Sequence, residues 1–145
     1  MKNLFEEQNY KIIIDRLDNL SPESKAQWGK MNVSQMLAHC TAAQNVMNGT
    51  ELKGTPFIVK LFKGMIKKTV LNAKPFKRSL QTHPQYVVSN FSDFNKEKEL
   101  LIKSINTFYT QKPDILHPIF GKLTEAEKGW VCYKHLDHHF TQFGV

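Results

Sequence analysis

Residues Thr124 to Gly144 read TEAEKGWVCYKHLDHHFTQFG, and the pattern specifies one long helix. Thr124 with Glu127 three places later is a capping box, and Gly144 is a fitting stop. No proline interrupts the run, and no period-two alternation competes with it. On a wheel of about 100° per residue with His135 at zero, His139 lies at about 40°. Cys132, Phe143, Leu136 and Phe140 follow at about 60° to 140°. The two histidines therefore share a face and border the apolar stripe. His138 at about −60° and Asp137 at about 200° lie outside it.

The rest of the chain reads as helix too. A first helix is expected from about Lys2 to Leu20, with Leu4, Ile13, Leu17 and Leu20 as core positions. The Ser21-Pro22-Glu23 break follows. A second runs from Asn32, capped with Gln35, to about Asn48, with Gly49 as its stop. A third starts after Pro56. It carries two ridges, Phe57-Leu61-Met65 and Ile58-Phe62-Ile66, expected to face the core. Asn72 to Phe91, with Pro75, His83 and Pro84, reads as a long connection. A fourth helix begins near Ser92 or Asp93 and reaches about Tyr109, burying Phe94, Leu101, Ile105 and Phe108. Pro113, Pro118 and Gly121 precede the last. The expectation is all-α: an up-down four-helix bundle with an additional short basic helix between bundle helices.

A chain of 145 residues is the size of one domain, so 1–145 is read as a single domain with a real core. Its hydrophobic fraction of 41% and charged fraction of 23% exclude a disordered chain. Cys40 and Cys132 make no disulfide framework and read as buried thiols in a reduced, cytoplasmic protein. Glu6, Glu7, Asp15 and Asp18 in the first twenty residues are foreign to a signal peptide, and no apolar run approaches a membrane span.

The net charge of +7 is local. From Leu52 to Ser92 there is no acid, against Lys53, Lys60, Lys63, Lys67, Lys68, Lys74, Lys77 and Arg78. The commonest reading of such a stretch is a solvated face. Lys60, Lys63, Lys67 and Lys68 are the candidates for an anion-binding patch. Nucleic acid is disfavoured, because no reading motif is present and Phe57 and Phe62 fit a core side better than a base platform.

His39 repeats the pattern of the last helix. With His39 at zero, Ala43, Met36, Met47 and Cys40 fall at about 40° to 100°. Two facing helices can bring His39, His135 and His139 to one ion. Three neutral imidazoles with the remaining positions open make a reactive site rather than a closed structural one. Zn, Ni, Fe and Cu suit such ligands, with Zn or Ni the first expectation. The competing reading is that each is a hydrogen-bonded core histidine.

The run His135-Leu-Asp-His138-His139-Phe-Thr-Gln142 resembles the C-terminal signature of the DinB/YfiT-like metal-binding four-helix bundles. Those proteins carry His-x2-His-His-x2-Gln on the last helix and one histidine in the second helix, as in Met36-Leu-Ala-His39. The stretch from His117-Pro-x-Phe-Gly121 to His139 resembles a branch catalogued only as a domain of unknown function. The resemblance implies metal ligands at His39, His135 and His139. Characterised relatives include thiol-dependent transferases and an isomerase that use low-molecular-weight thiols, but their substrate residues lie outside these motifs, so the resemblance carries no activity over. A thiol-dependent transferase, with a low-molecular-weight thiol as co-substrate, and a hydrolase both fit the open three-His site itself. Many relatives have Arg-Gly where this chain has Phe140-Thr141, so that arginine's role is absent. A homodimer is a further expectation.

Three residues keep two readings each. Gln142, one turn past His139, either holds a metal-bound water or an outer group of the site, or is a surface amide. His117 either lines the site cavity or packs on Phe120. His138 either has an outer role or none. Trp28 and Trp130 read as core or bundle-end anchors. No carboxylate is placed as a general base, and no Ser-His-Asp or Cys-His constellation is evident. The alternative to an enzyme is a non-catalytic binding module for an anionic ligand or partner.

Overall fold

The computed structural model describes residues 1–78, 80, 82–88 and 93–145. The side chain of Lys60 lies outside the described residues, as do Phe91 and Ser92, positions at which the connection and the fourth predicted helix were expected to meet. Among the described residues the chain is all-helical: α1 (Glu7–Asp18), α2 (Val33–Met47), α3 (Phe57–Leu61), α4 (Lys63–Leu71), α5 (Phe94–Gln111) and α6 (Glu125–Gln142). One 3-10 turn, Pro84–Tyr86, interrupts the connection. An isolated bridge between His117 and Gly121 is the only extended pairing among the described residues. None of these helices is long and apolar enough to cross a membrane.

Local chemistry sets the helix starts. At α2 the Gln35 amide donates to Asn32 Oδ1 at 2.8 Å, and the Asn32 amide donates to Gln35 Oε1 at 3.0 Å. Thr124 and Glu127 make the same reciprocal pair at α6. The Lys96 amide donates to Asp93 Oδ1 at α5. Each box satisfies backbone donors that a helix start leaves without intrahelical partners.

Helix α1 begins later than the sequence predicts. Leu4 and Phe5 are buried as a plug rather than as a helical turn. The Leu4 amide donates to the Gly129 carbonyl at 3.1 Å, and the Phe5 ring stacks on Phe108 at 4.5 Å. The four long helices touch in a ring: α1 and α2 each pack on both α5 and α6. Among the described residues, α1 makes no close backbone approach to α2, nor α5 to α6. Ile13, Leu17, Met36, Leu37, Leu101, Ile105, Phe108, Leu136 and Phe140 fill the interior. Burying each such side chain stabilises by roughly 1.5–3 kcal/mol before chain entropy is counted. Polar pins fix the seams. Ser104 Oγ donates to Asn45 Oδ1 across α2 and α5, and Arg16 clamps Asp137 and Thr141 across α1 and α6.

The predicted third helix needs correction. It breaks at Phe62, whose φ of −101° and ψ of 15° leave the helical range. Its two ridges do not face the core: Phe57 is 77% exposed, Met65 65%, Leu61 64% and Ile58 58%. Only Val59 and Ile66 rest on a small satellite cluster of Val46, Leu52 and Ile119. Val59 lies on α3 and Ile66 on α4, so each short helix contributes one side chain to that cluster. The C-terminal carbonyls of α4 are satisfied from α6. Lys134 Nζ donates to Val70 O at 3.1 Å and Asn72 O at 2.8 Å, and Trp130 Nε1 donates to Leu71 O at 3.2 Å.

Candidate metal centre

His39 comes from the middle of α2, and His135 and His139 from adjacent turns of α6. The α2–α6 contact brings the three rings together. One nitrogen of each lies within 4.8 Å of the others, and no Asp, Glu or Cys joins them among the described residues. His39 and His139 are buried, and His135 is half-buried.

Hydrogen bonds decide which nitrogens face inward. A carbonyl only accepts, so His39 Nδ1 carries the proton it donates to Tyr86 O at 3.0 Å. Its Nε2 then presents a lone pair. Gln142 Nε2 donates to Trp28 O at 2.7 Å, which turns Gln142 Oε1 toward His139 Nδ1 at 2.9 Å. That oxygen accepts from Nδ1–H and leaves the His139 Nε2 lone pair free. Gly29 permits this approach. Its φ is 85°, and a Cβ there would lie 2.6 Å from Gln142 Nε2.

His39 Nε2 and His135 Nε2 face each other at 3.2 Å. Two nitrogens about 2.05 Å from one ion stand about 2.9 Å apart at a right angle and about 3.3 Å apart at the tetrahedral angle. The observed separation fits a shared divalent ion. The electrostatics agree, because ligand imidazoles must be neutral. Burial, then the neighbouring His39, pushes His139 down to about 3. Burial and crowding by His139 and His39 hold His135 well below the ordinary 6.5, and burial lowers His39 against the opposing bond to Tyr86.

The other predicted residues fall elsewhere. His138 is half-buried, with its ring 5.1 Å from that of His139, 5.9 Å from Trp28 and 5.8 Å from Phe76. It lines a cleft of about 810 Å³ rather than joining the three clustered histidines. His117 stacks flat on Phe120 at 4.1 Å, and its Nδ1 accepts from the amides of Ile119 and Phe120. Trp28 and Trp130, expected as core or end anchors, are both half-buried and both line the cleft. Lys67 Nζ donates to Lys122 O at 2.7 Å, while Lys63 and Lys68 are exposed. Asp137 is engaged by Arg16 at 2.5 Å. Burial raises both thiols, Cys132 to about 12, so neither is a ready nucleophile.

Sequence reasoning missed Tyr86, Gly29 and Trp28 as supports of the site. Tyr86 and Trp28 contribute backbone carbonyls, which carry no residue signature. Gly29 was the one readable signal, a glycine preceding a helix cap by three residues.

A protein-family model described as "Protein of unknown function (DUF1569)" matches residues 5–144. The chain belongs to that family. No curated protein and no solved structure matches it.

Proposed function

We propose that this DUF1569 protein is a divalent-metal protein whose ion is held by His39, His135 and His139, and that it works as a metal-dependent enzyme of transferase or hydrolase type. The observation that carries the reading is the pair of Nε2 atoms at 3.2 Å, one of them fixed in its lone-pair form by Tyr86 O. An N–H···N bond alone accounts for two imidazoles at that distance but not for a third ligand nitrogen, from His139, within 4.8 Å of both. Zn or Ni suits three imidazoles. A bound ion supplies Lewis acidity and lowers the pKa of a thiol or water at an open position. The residues themselves do two things. Tyr86 O and Gln142 Oε1 hold two rings in the ligand tautomer, and burial keeps all three neutral.

The ring of helix contacts supports an up-down four-helix bundle of the DinB/YfiT-like kind over one domain, 1–145. Relatives of that kind suggest a low-molecular-weight thiol as co-substrate, the two free thiols suit a cytoplasmic setting, and a homodimer is a further part of the proposal. The test is elemental analysis of protein purified without a His tag, beside His39→Ala and His135→Ala. Near-stoichiometric metal in the wild type and its loss in both variants is the expected result. Sub-stoichiometric metal in the wild type after reconstitution with Zn or Ni overturns it.

A second reading is a non-catalytic binding module for an anionic partner. The exposed Phe57, Ile58, Leu61 and Met65 beside exposed Lys63 and Lys68 favour it. Reversal of Lys63, Lys67 and Lys68 to Glu is expected to abolish binding to inorganic polyphosphate and to spare metal content. Binding that survives the reversal makes the lysines a solvated face.

A further inference from the structure

The cleft beside α6 has a composition unlike the rest of the surface. Trp28, Phe76, Trp130 and Tyr133 supply its walls, and His138 separates it from the ligand histidines, none of which lines it. Its three Lys and Arg side chains each lie over one of these rings. Arg78 sits 4.4 Å above Trp28, Lys134 4.4 Å from Phe76, and Lys2 5.2 Å from Tyr133.

The three cations differ in what else holds them. Lys134 is spent on the carbonyl end of α4, and Lys2 donates to Tyr133 Oη at 3.1 Å. Arg78 makes no hydrogen bond or ion pair among the described residues and is exposed. Two carboxylates also line the cleft. Asp137 is paired with Arg16, and Glu6 accepts from the neutral Asn9 Nδ2 at 2.7 Å and keeps its charge. Three cationic side chains therefore face one carboxylate without an ion-pair partner, so the balance is positive, and the cation without another polar partner is a guanidinium lying against an indole.

We propose that this cleft binds a planar aromatic carboxylate, its ring packed among Trp28, Phe76 and Trp130 and its carboxylate forked by Arg78. A guanidinium presents two parallel donors that match a carboxylate, and it keeps them available while its face rests on an aromatic ring. Aromatic walls favour a flat ring over an aliphatic chain of equal size. The volume of about 810 Å³ admits a ligand of two or more fused rings. The proposal goes beyond the metal reading and does not depend on it.

The test uses the chain's own reporters. It has two tryptophans, and both line the cleft, so the two indole N–H signals in a proton–nitrogen correlation spectrum watch this site. The full-length protein is titrated with 2-naphthoate, its neutral analogue 2-naphthalenemethanol, and acetate, once as purified and once after chelation. Both indole signals are expected to move saturably with 2-naphthoate and to stay still with acetate. Arg78→Ala, a change at an exposed side chain, is expected to weaken 2-naphthoate binding about tenfold, and the neutral analogue to bind about tenfold more weakly than 2-naphthoate. Unchanged dispersion of the rest of the spectrum shows that the variant is folded. The proposal is overturned if no saturable shift occurs up to millimolar ligand, if Arg78→Ala titrates like wild type, or if the neutral analogue binds equally well. The same titration after chelation keeps this result separate from metal content.

Discussion

Gln142 is the residue through which the loop at Trp28 and Gly29 reaches His139. Its amide is held at both ends, so it fixes the imidazole's tautomer from outside the three-nitrogen cluster. Gln142→Leu removes the acceptor and leaves His139 free to turn either nitrogen inward. Metal affinity is then expected to fall about 10- to 100-fold, with the fold intact, as read by competition with a chromophoric chelator. His117 poses the opposite case, a buried histidine with a purely structural job. Burial pushes it down to about 4 from the ordinary 6.5. Between those values the unfolded chain binds a proton that the fold refuses, so acid draws the equilibrium toward unfolding. The slope is about 1.4 kcal/mol per pH unit below pH 6.5, and the loss levels off below about 4. His117→Asn keeps an acceptor where Nδ1 stood and removes the proton site. Its urea midpoint is expected to fall less steeply than wild type between pH 6.5 and 4; parallel curves would refute the assignment. His39, His135 and His139 were legible because side-chain identity and wheel position are local facts. The two readings of His117 were not separable from sequence, since what decides between them is a ring stacked three residues away in a turn with no helical register.

At the scale of elements, the capping boxes at Asn32 and Thr124 were legible because their partners lie three residues apart. The α3–α4 segment was not. Its apolar residues cover more than half of the wheel, with Lys60, Lys63 and Lys67 on the remainder, so spacing does not say which part meets the core, and only the satellite cluster selects Val59 and Ile66. Gly129 shows a contact of the same long-range kind. It sits inside α6, where alanine is ordinarily better by about 1 kcal/mol. A Cβ there would stand 1.7 Å from Asn3 Oδ1 and 3.1 Å from Phe5 Cδ2. Asn3 Oδ1 is itself held by the Phe5 amide at 3.0 Å, so it does not swing away freely. Gly129→Ala is therefore expected to destabilise by about 1–3 kcal/mol despite its helix propensity, as an overpacked site does. A urea titration showing net stabilisation would mean that the N-terminal plug yields at no cost.

Across the whole molecule, the three histidines span one seam of the helix ring. His39 stands on α2, its two partners stand on α6, and Tyr86 adds the 3-10 turn to the same assembly through its carbonyl. An ion held there would tie three segments that are far apart in sequence, and it would bind the folded chain only. At a free metal concentration about 100 times the dissociation constant, the added stability is about 2.7 kcal/mol. For a chain of this size that corresponds to a melting temperature about 8 °C lower after chelation. The α1–α5 and α1–α6 seams owe nothing to the ion, so helical content below the transition stays constant. Hydrogen exchange separates this from general loosening. Chelation is expected to raise exchange in 84–86 and around His39 while α1 and α5 keep their protection. His39→Ala removes the α2 end of the tie, so its melting temperature is expected to ignore the chelator. If that variant loses as many degrees on chelation as the wild type, the ion that stabilises the protein sits somewhere other than between α2 and α6.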